Sequence, residues 1–157
     1  MGAVSRRFTS SLAKARRGDP DAQYEVAVSL AVGMGTDADM AQAREWYERA
    51  ARQDHPDAAF HLAAMLSSGE GGRRSKRDAM KWLRRASVLG SADASIALAE
   101  CEEDMATAAA MFARAALQGD GARALRGISR LLRAQGAGGS MEIAAAIQRE
   151  LQKAGVA

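Results

Sequence analysis

Few residues in this chain have side chains that could carry chemistry. They are two histidines, His55 and His61, one cysteine, Cys101, a glycine-rich run at Gly69-Glu-Gly71-Gly72, and a basic run from Arg73 to Arg85. A Cys–His pair could make a nucleophile and its base, but the spacing opposes it. His61 and Cys101 fall on neighbouring helices with a one-turn offset, so axes ~8–10 Å apart place their backbones about 11 Å from each other, beyond ready hydrogen bonding. A zinc site needs more ligands: His55 and His61 are six residues apart, on different helical faces, with no second cysteine. The glycine run has no preceding strand and no Gly-Lys-Ser/Thr, so it is not a phosphate loop. No catalytic residue, metal or cofactor is expected.

The basic run stands apart as a charge anomaly. Arg73, Arg74, Lys76, Arg77 and Lys81, continued by Arg84 and Arg85, form either a solvated loop and helix face or a docking patch for an acidic partner or nucleic-acid phosphates. The exposed aromatics that single-strand binders stack on are not interleaved with it, and the net charge is only +3. Nucleic acid is therefore not the expected partner.

What positions these residues is a repeat. Shifted by thirty-six residues, Ala15-Arg16 lands on Ala51-Arg52, Pro20-Asp21-Ala22 on Pro56-Asp57-Ala58, Gly33 and Gly35 on Gly69 and Gly71, and Trp46 on Trp82. Ala27, Leu30, Ala43, Arg49 and Ala50 also recur. A third copy follows at Asp93-Ala94, Ile96 and Leu98-Ala99, then loses about seven residues where the others carry Gly-x-Gly and a polar loop, so it must turn tightly near Glu102-Glu103-Asp104. A degraded fourth start at Gly119-Asp-Gly-Ala122, with Leu125, Ile128, Leu131 and Leu132, precedes a last amphipathic segment from about Ser140 to Lys153.

Each copy reads helix, loop, helix. Asp19 and His55 can cap helices opened by Pro20 and Pro56, apolar residues recur at helical spacing (Ala22, Val26, Leu30; Ala58, Leu62, Leu66), and Gly33 and Gly69 close those helices. Asp39 and Asp78 lie near the start of the second helices, whose buried faces are Ala43, Trp46, Tyr47, Ala50 and Ala79, Trp82, Leu83, Ala86. The expected fold is all-α: a right-handed α-solenoid of about three and a half antiparallel helix pairs in a single domain. It divides into a capping helix at 1–17, repeats at 18–53 and 54–89, a shortened repeat at 90–118, and a degenerate repeat with a C-terminal capping helix at 119–157.

The pattern Asp-Ala-x-Tyr-x-Val-Ala, Gly-x-Gly and Ala-x-x-Trp-Tyr-x-x-Ala-Ala resembles the Sel1-like repeat, a relative of the tetratricopeptide repeat, over about residues 15 to 118. Asp54 departs from it, standing where Gly18, Gly90 and Gly119 keep the glycine. Secreted members with a disulfide in each repeat are not matched, because those cysteine pairs are missing. The resemblance implies a non-enzymatic adaptor or scaffold that binds a protein or peptide along the concave surface lined by the first helices. Opposite their core stripe stand Glu25, Val28 and Ser29, then His61, Ala64 and Met65, then Ala97, Glu100 and Cys101, then Arg126 and Arg130. These are the candidate partner contacts, set against a merely solvated face.

Compartment follows from what the chain carries. One cysteine forms no internal disulfide, which points to the cytoplasm. Ser5-Arg6-Arg7-Phe8 is like a twin-arginine signal but has no apolar run after it; an organelle transit peptide fits its Arg/Ser content less well than a capping helix does. No stretch of ~18 apolar residues spans a membrane. The bias toward Ala, Arg and Gly is that of a GC-rich bacterial genome.

Overall fold

The computed structural model describes residues 5–156, the side chains of 135–138 in its last helix excepted. The part of the N-terminal capping and targeting readings that falls on residues 1–4 lies outside the described residues. The elements are α1 (Arg6–Arg16), α2 (Pro20–Val32), α3 (Met40–Arg52), α4 (Pro56–Ser68), α5 (Lys76–Val88), α6 (Ala92–Cys101), α7 (Met105–Leu117) and α8 (Gly121–Lys153). There is no strand among the described residues. Contacts group the chain into two compact units, residues 1–89 and 90–157, divided between the second and third copies.

The repeat is written most plainly in its caps. Asp19, His55, Ser91 and Asp120 each accept a backbone N–H three residues on, so one position, spaced by thirty-six, thirty-six and twenty-nine residues, satisfies the first turn of α2, α4, α6 and α8. The second helices use Asp39, Ser75 and Asp104 in the same way. Asp78 lies in the first turn of α5, as expected, and the cap itself, thirty-six residues after Asp39, is Ser75. Asp78 ties this cap down, its N–H reaching the Ser75 hydroxyl at 3.3 Å and its carboxylate accepting from that hydroxyl at 2.7 Å, while the Ser75 N–H donates to the Leu66 carbonyl at 2.8 Å.

Two glycines seat the loops of unit 1. Gly35 has φ +73°, and its backbone lies so close to the cap of α1 that a Cβ would meet the Ser5 hydroxyl at 2.3 Å; the Ser5 N–H donates to the Gly35 carbonyl at 2.8 Å. Gly71, at φ +68°, repeats this against the start of α3, where a Cβ would fall 2.2 Å from the Met40 carbonyl oxygen. Each Gly-x-Gly loop thus rests on the start of the second helix of the preceding pair, and α1 plays that part for copy one. Copy three lacks the loop in its sequence.

Asp54 holds φ +64°, the sole described non-glycine residue in that region, at the position where Gly18, Gly90 and Gly119 do the same. Its carboxylate accepts two bonds from the Arg85 guanidinium, 3.0 Å from Nε. The core of unit 1 is alanine-rich, with Ala43, Trp46, Tyr47 and Ala50 of α3 buried as expected. In α5 Ala79 and Ala86 are buried, but Trp82 and Leu83 are only half-buried, so the second tryptophan is not a full core residue.

In unit 2, α7 lies between two arms of α8. Gly127 abuts the Phe112 ring, yet Arg114, two residues along α7, bonds Glu150 at 3.2 Å. Twenty-three residues of straight helix would separate those contacts by about 34 Å, so α8 folds back between its arms. Residues 121–134 and 139–153 therefore correspond to the degenerate fourth start and the terminal amphipathic segment. Glu150 is buried; burial would push its carboxyl up, but hydrogen bonds from Lys153 at 2.6 Å and from Arg114 outweigh this and hold it below the usual range. A depressed folded pKa stabilises above the unfolded value and is lost as pH falls through the folded one. Unit 2 should therefore weaken on acidification through and below the ordinary carboxylate range, and Glu150→Gln should flatten that part of a pH series of urea melts.

Candidate functional site

The outward positions of the first helices do not form one uniform face. Glu25 is exposed and accepts a 2.7 Å hydrogen bond from Ser11 of α1. Val28 and Ser29 are half-buried and, with Phe8, Tyr24 and Met34, line a recess of about 220 Å³ between α1 and α2. Its lining is mixed: Met34 is 63 % exposed, and Arg7, Ser5, Ser11 and Glu25 supply the polar groups. On α4, Ala64 is exposed, but Met65 is 5 % exposed and belongs to the core. Met65 is thus corrected from contact to packing residue, because the buried stripe of α4 is wider than the row 58, 62, 66 and takes in 59, 63 and 65 as well. In unit 2, Ala97 is half-buried, while Glu100, Cys101, Arg126 and Arg130 are exposed.

His61 sits in an aromatic cluster that also claims His55. Its ring stacks on Tyr47 at 5.1 Å and 19°, tilts against Tyr24 at 5.8 Å, and has Nε2 3.5 Å from the Tyr24 hydroxyl. His55 stacks on the same Tyr24 at 4.7 Å. Burial, then Tyr24, push the Tyr47 phenol up to about 12. Tyr24, the tyrosine of the Asp-Ala-x-Tyr pattern, is the hub: it joins α2, α3 and α4 and also lines the recess. The hint was its hydroxyl, since a buried tyrosine body with a polar tip tends to sit at a wet boundary.

His55 is a helix cap, as its place before Pro56 predicts. Nδ1 accepts from the Ala58 N–H at 3.2 Å, and Nε2 lies 3.5 Å from the Asp21 carboxylate. His55→Ala should cost about 1 kcal/mol through the cap alone, while His55→Asp, the residue used at Asp19, should recover most of it; thermal melts of the two variants compare them. Among the described residues, no group of three or more His, Cys, Asp or Glu side chains is placed to hold a metal, and no helix is long and apolar enough to cross a membrane.

The basic run occupies the α4–α5 loop and the first turns of α5, with its Lys and Arg residues exposed. Part of it is engaged internally: Arg74 donates to the Ser67 carbonyl at 2.7 Å, Lys81 pairs with Asp78 at 3.2 Å, and Arg85 pairs with Asp54 while lying 5.4 Å over Trp82. Arg73, Lys76 and Arg77 project from the loop and from the start of α5.

Capped helix pairs in tandem, docked loop to helix, define an all-α repeat protein of the helix-pair solenoid class. The Sel1 repeat model matches residues 20–55, 56–91 and 98–120, and the chain belongs to that family, whose repeats generally serve as non-catalytic protein–protein interaction modules. Among solved structures it is similar to c5321 of uropathogenic Escherichia coli, a protective antigen with an SLR fold (TM-score 0.79, 22 % identity, covering 95 % of this chain and 34 % of that one). It is similar also to a Sel1 repeat protein of Oxalobacter formigenes (0.69, 25 %, 83 % and 45 %) and to Helicobacter pylori cysteine rich protein B (0.54, 21 %, 55 % and 65 %). The chain thus spans about a third and under half of the lengths of the first two. No curated protein matches it.

Proposed function

We propose that this chain is a non-catalytic adaptor or scaffold that captures a protein or peptide on the outward face of its first helices, α2, α4 and α6. The recess beside α2 is the observation that carries this reading: exposed Met34 and the half-buried Val28 and Tyr24 offer apolar contact, with Glu25, Ser29 and Arg7 at hand to orient a ligand. Apolar surface left open beside polar groups is what a partner site requires. On α4, His61, fixed by its stacking on Tyr47, and exposed Ala64 are further contacts, and within unit 2 exposed Glu100 of α6 is another. The free thiol of Cys101 suits a reducing cytoplasm.

The test is affinity capture from the native host with wild-type chain and with Glu25→Lys, Ala64→Lys and Glu100→Lys combined, all exposed positions that leave the cores intact. Partners held by this face should be depleted by about tenfold or more, as for central contact residues. Undiminished capture of every partner would refute the assignment. A second reading, an acidic partner or nucleic acid on Arg73, Arg74, Lys76, Arg77 and Lys81, is favoured by Lys76 and Arg77 standing in the first turn of α5, where the helix dipole disfavours cations. Steep loss of binding with added salt would support it.

A further inference from the structure

The first arm of α8 carries two rows of side chains that the packing of unit 2 does not use. Arg126, Arg130 and Arg133 follow at i, i+4 and i+7, and Leu125, Ser129 and Leu132 repeat that spacing one residue earlier, so the rows lie side by side on one helix surface. The other side of the arm is occupied: Ala124, Ile128 and Leu131 pack into the cluster of Ile96, Ala99, Phe112 and Ala115, and Gly127 abuts Phe112. Leu125 is nevertheless 64 % exposed and Leu132 38 % exposed. Among the described residues no carboxylate pairs with the three arginines, although Arg123 on the same arm is paired with Asp93 and Asp120. Arg133 Nε donates to the Ser129 carbonyl at 3.2 Å. Leu125, Arg126, Ser129, Arg130 and Arg133 line a shallow recess of about 450 Å³.

Stability alone gives no reason for this arrangement, since like charges one turn apart repel and leucines facing water gain nothing from folding. We infer that this face binds an acidic amphipathic segment of a partner protein, whose apolar side chains cover Leu125 and Leu132 while its carboxylates pair with Arg126, Arg130 and Arg133. Charge complementarity selects the occupant. All three cations are arginine, whose planar fork grips carboxylates bidentately, whereas a lipid surface is served equally by lysine point charges. The face also lacks the aromatic residues that anchor a helix in a membrane interface. The inference rests on the partner-binding reading above and adds the chemistry of the partner.

The experiment uses the full chain and a labelled synthetic peptide of about 18 residues with leucines at i and i+7 flanked by glutamates, followed by fluorescence anisotropy. Saturable binding is expected. Arg126→Glu, Arg130→Glu and Arg133→Glu together should weaken it at least about tenfold, and the three lysine replacements by about threefold despite unchanged charge. Leu125→Ala with Leu132→Ala should weaken it by at least about threefold. Circular dichroism checks that each variant stays folded. Equal binding of a peptide with serines for leucines, or no binding at all, overturns the inference. So does capture of vesicles holding about 30 % phosphatidylserine with no capture of the peptide. If host partners are lost with the Glu25, Ala64 and Glu100 variant but the peptide is not bound, this inference alone falls and the broader reading stands.

Discussion

Gly71→Ala is expected to destabilise unit 1 by about 3 kcal/mol, seen as a drop in melting temperature of roughly 6–12 °C. Two costs combine. At φ +68° an alanine is strained by about 1 kcal/mol, and its Cβ would lie 2.2 Å from the Met40 carbonyl oxygen and 2.8 Å from the carbonyl carbon. Those are backbone atoms in the first turn of α3, so relief requires unseating the loop from the helix it rests on. Gly18→Ala is the control: φ is +98°, but nothing lies within 4 Å of the added Cβ, and only the conformational cost of about 1 kcal/mol should appear. Equal losses for the two variants would show that loop docking contributes nothing.

Phe112→Ala is expected to cost unit 2 about 3–5 kcal/mol in urea unfolding. Phe112 is 3 % exposed and is the only aromatic residue after position 90. Among its neighbours Ala99, Ala115, Ala124 and Gly127 have nothing to swing into the space, and Ile96, Met111, Ile128 and Leu131 could fill it only in part. Gly127→Ala works from the other side. Its Cβ would meet the Phe112 ring at 2.3 Å, and overpacking should cost about 1–3 kcal/mol. Made together with Phe112→Leu, the two changes should be less damaging than their sum, because the smaller side chain leaves room for the new methyl. A loss below about 1 kcal/mol for Phe112→Ala would mean that unit 2 closes around the gap.

Most of the fold is legible in the residues because caps and turns are local chemistry. Asp19-Pro20 and His55-Pro56 mark helix starts from side-chain oxygen or nitrogen and a missing N–H, and no long-range information is needed. Asp78 marks the start of α5 by the same local chemistry, and counting thirty-six residues from Asp39 leads to Ser75, the residue that caps it. Met65 is buried where a partner contact is expected, and Leu125 is exposed, for one reason. Periodicity gives the direction of a helix's buried stripe but not its width, and the width depends on neighbours: α4 is packed broadly, while the first arm of α8 buries only the face turned to α7 and α6. The folding back of α8 likewise depends on Phe112 and Arg114 holding two distant segments of the chain, which no local pattern encodes. Of the candidate site, the first-helix positions follow from the repeat, but their company does not. His61 was singled out for its chemistry, yet its partners Tyr24 and Tyr47 lie on two other helices.

The central claim is that partners are held on the outward face of the first helices. It is tested most directly by placing a photo-crosslinking residue at one position at a time: 25 and 64 on that face, 45 and 84 on the exposed sides of α3 and α5. Irradiation in the presence of a captured host partner should join it to the chain from positions 25 and 64 and not from 45 or 84. Crosslinks confined to 45 or 84 would contradict the account.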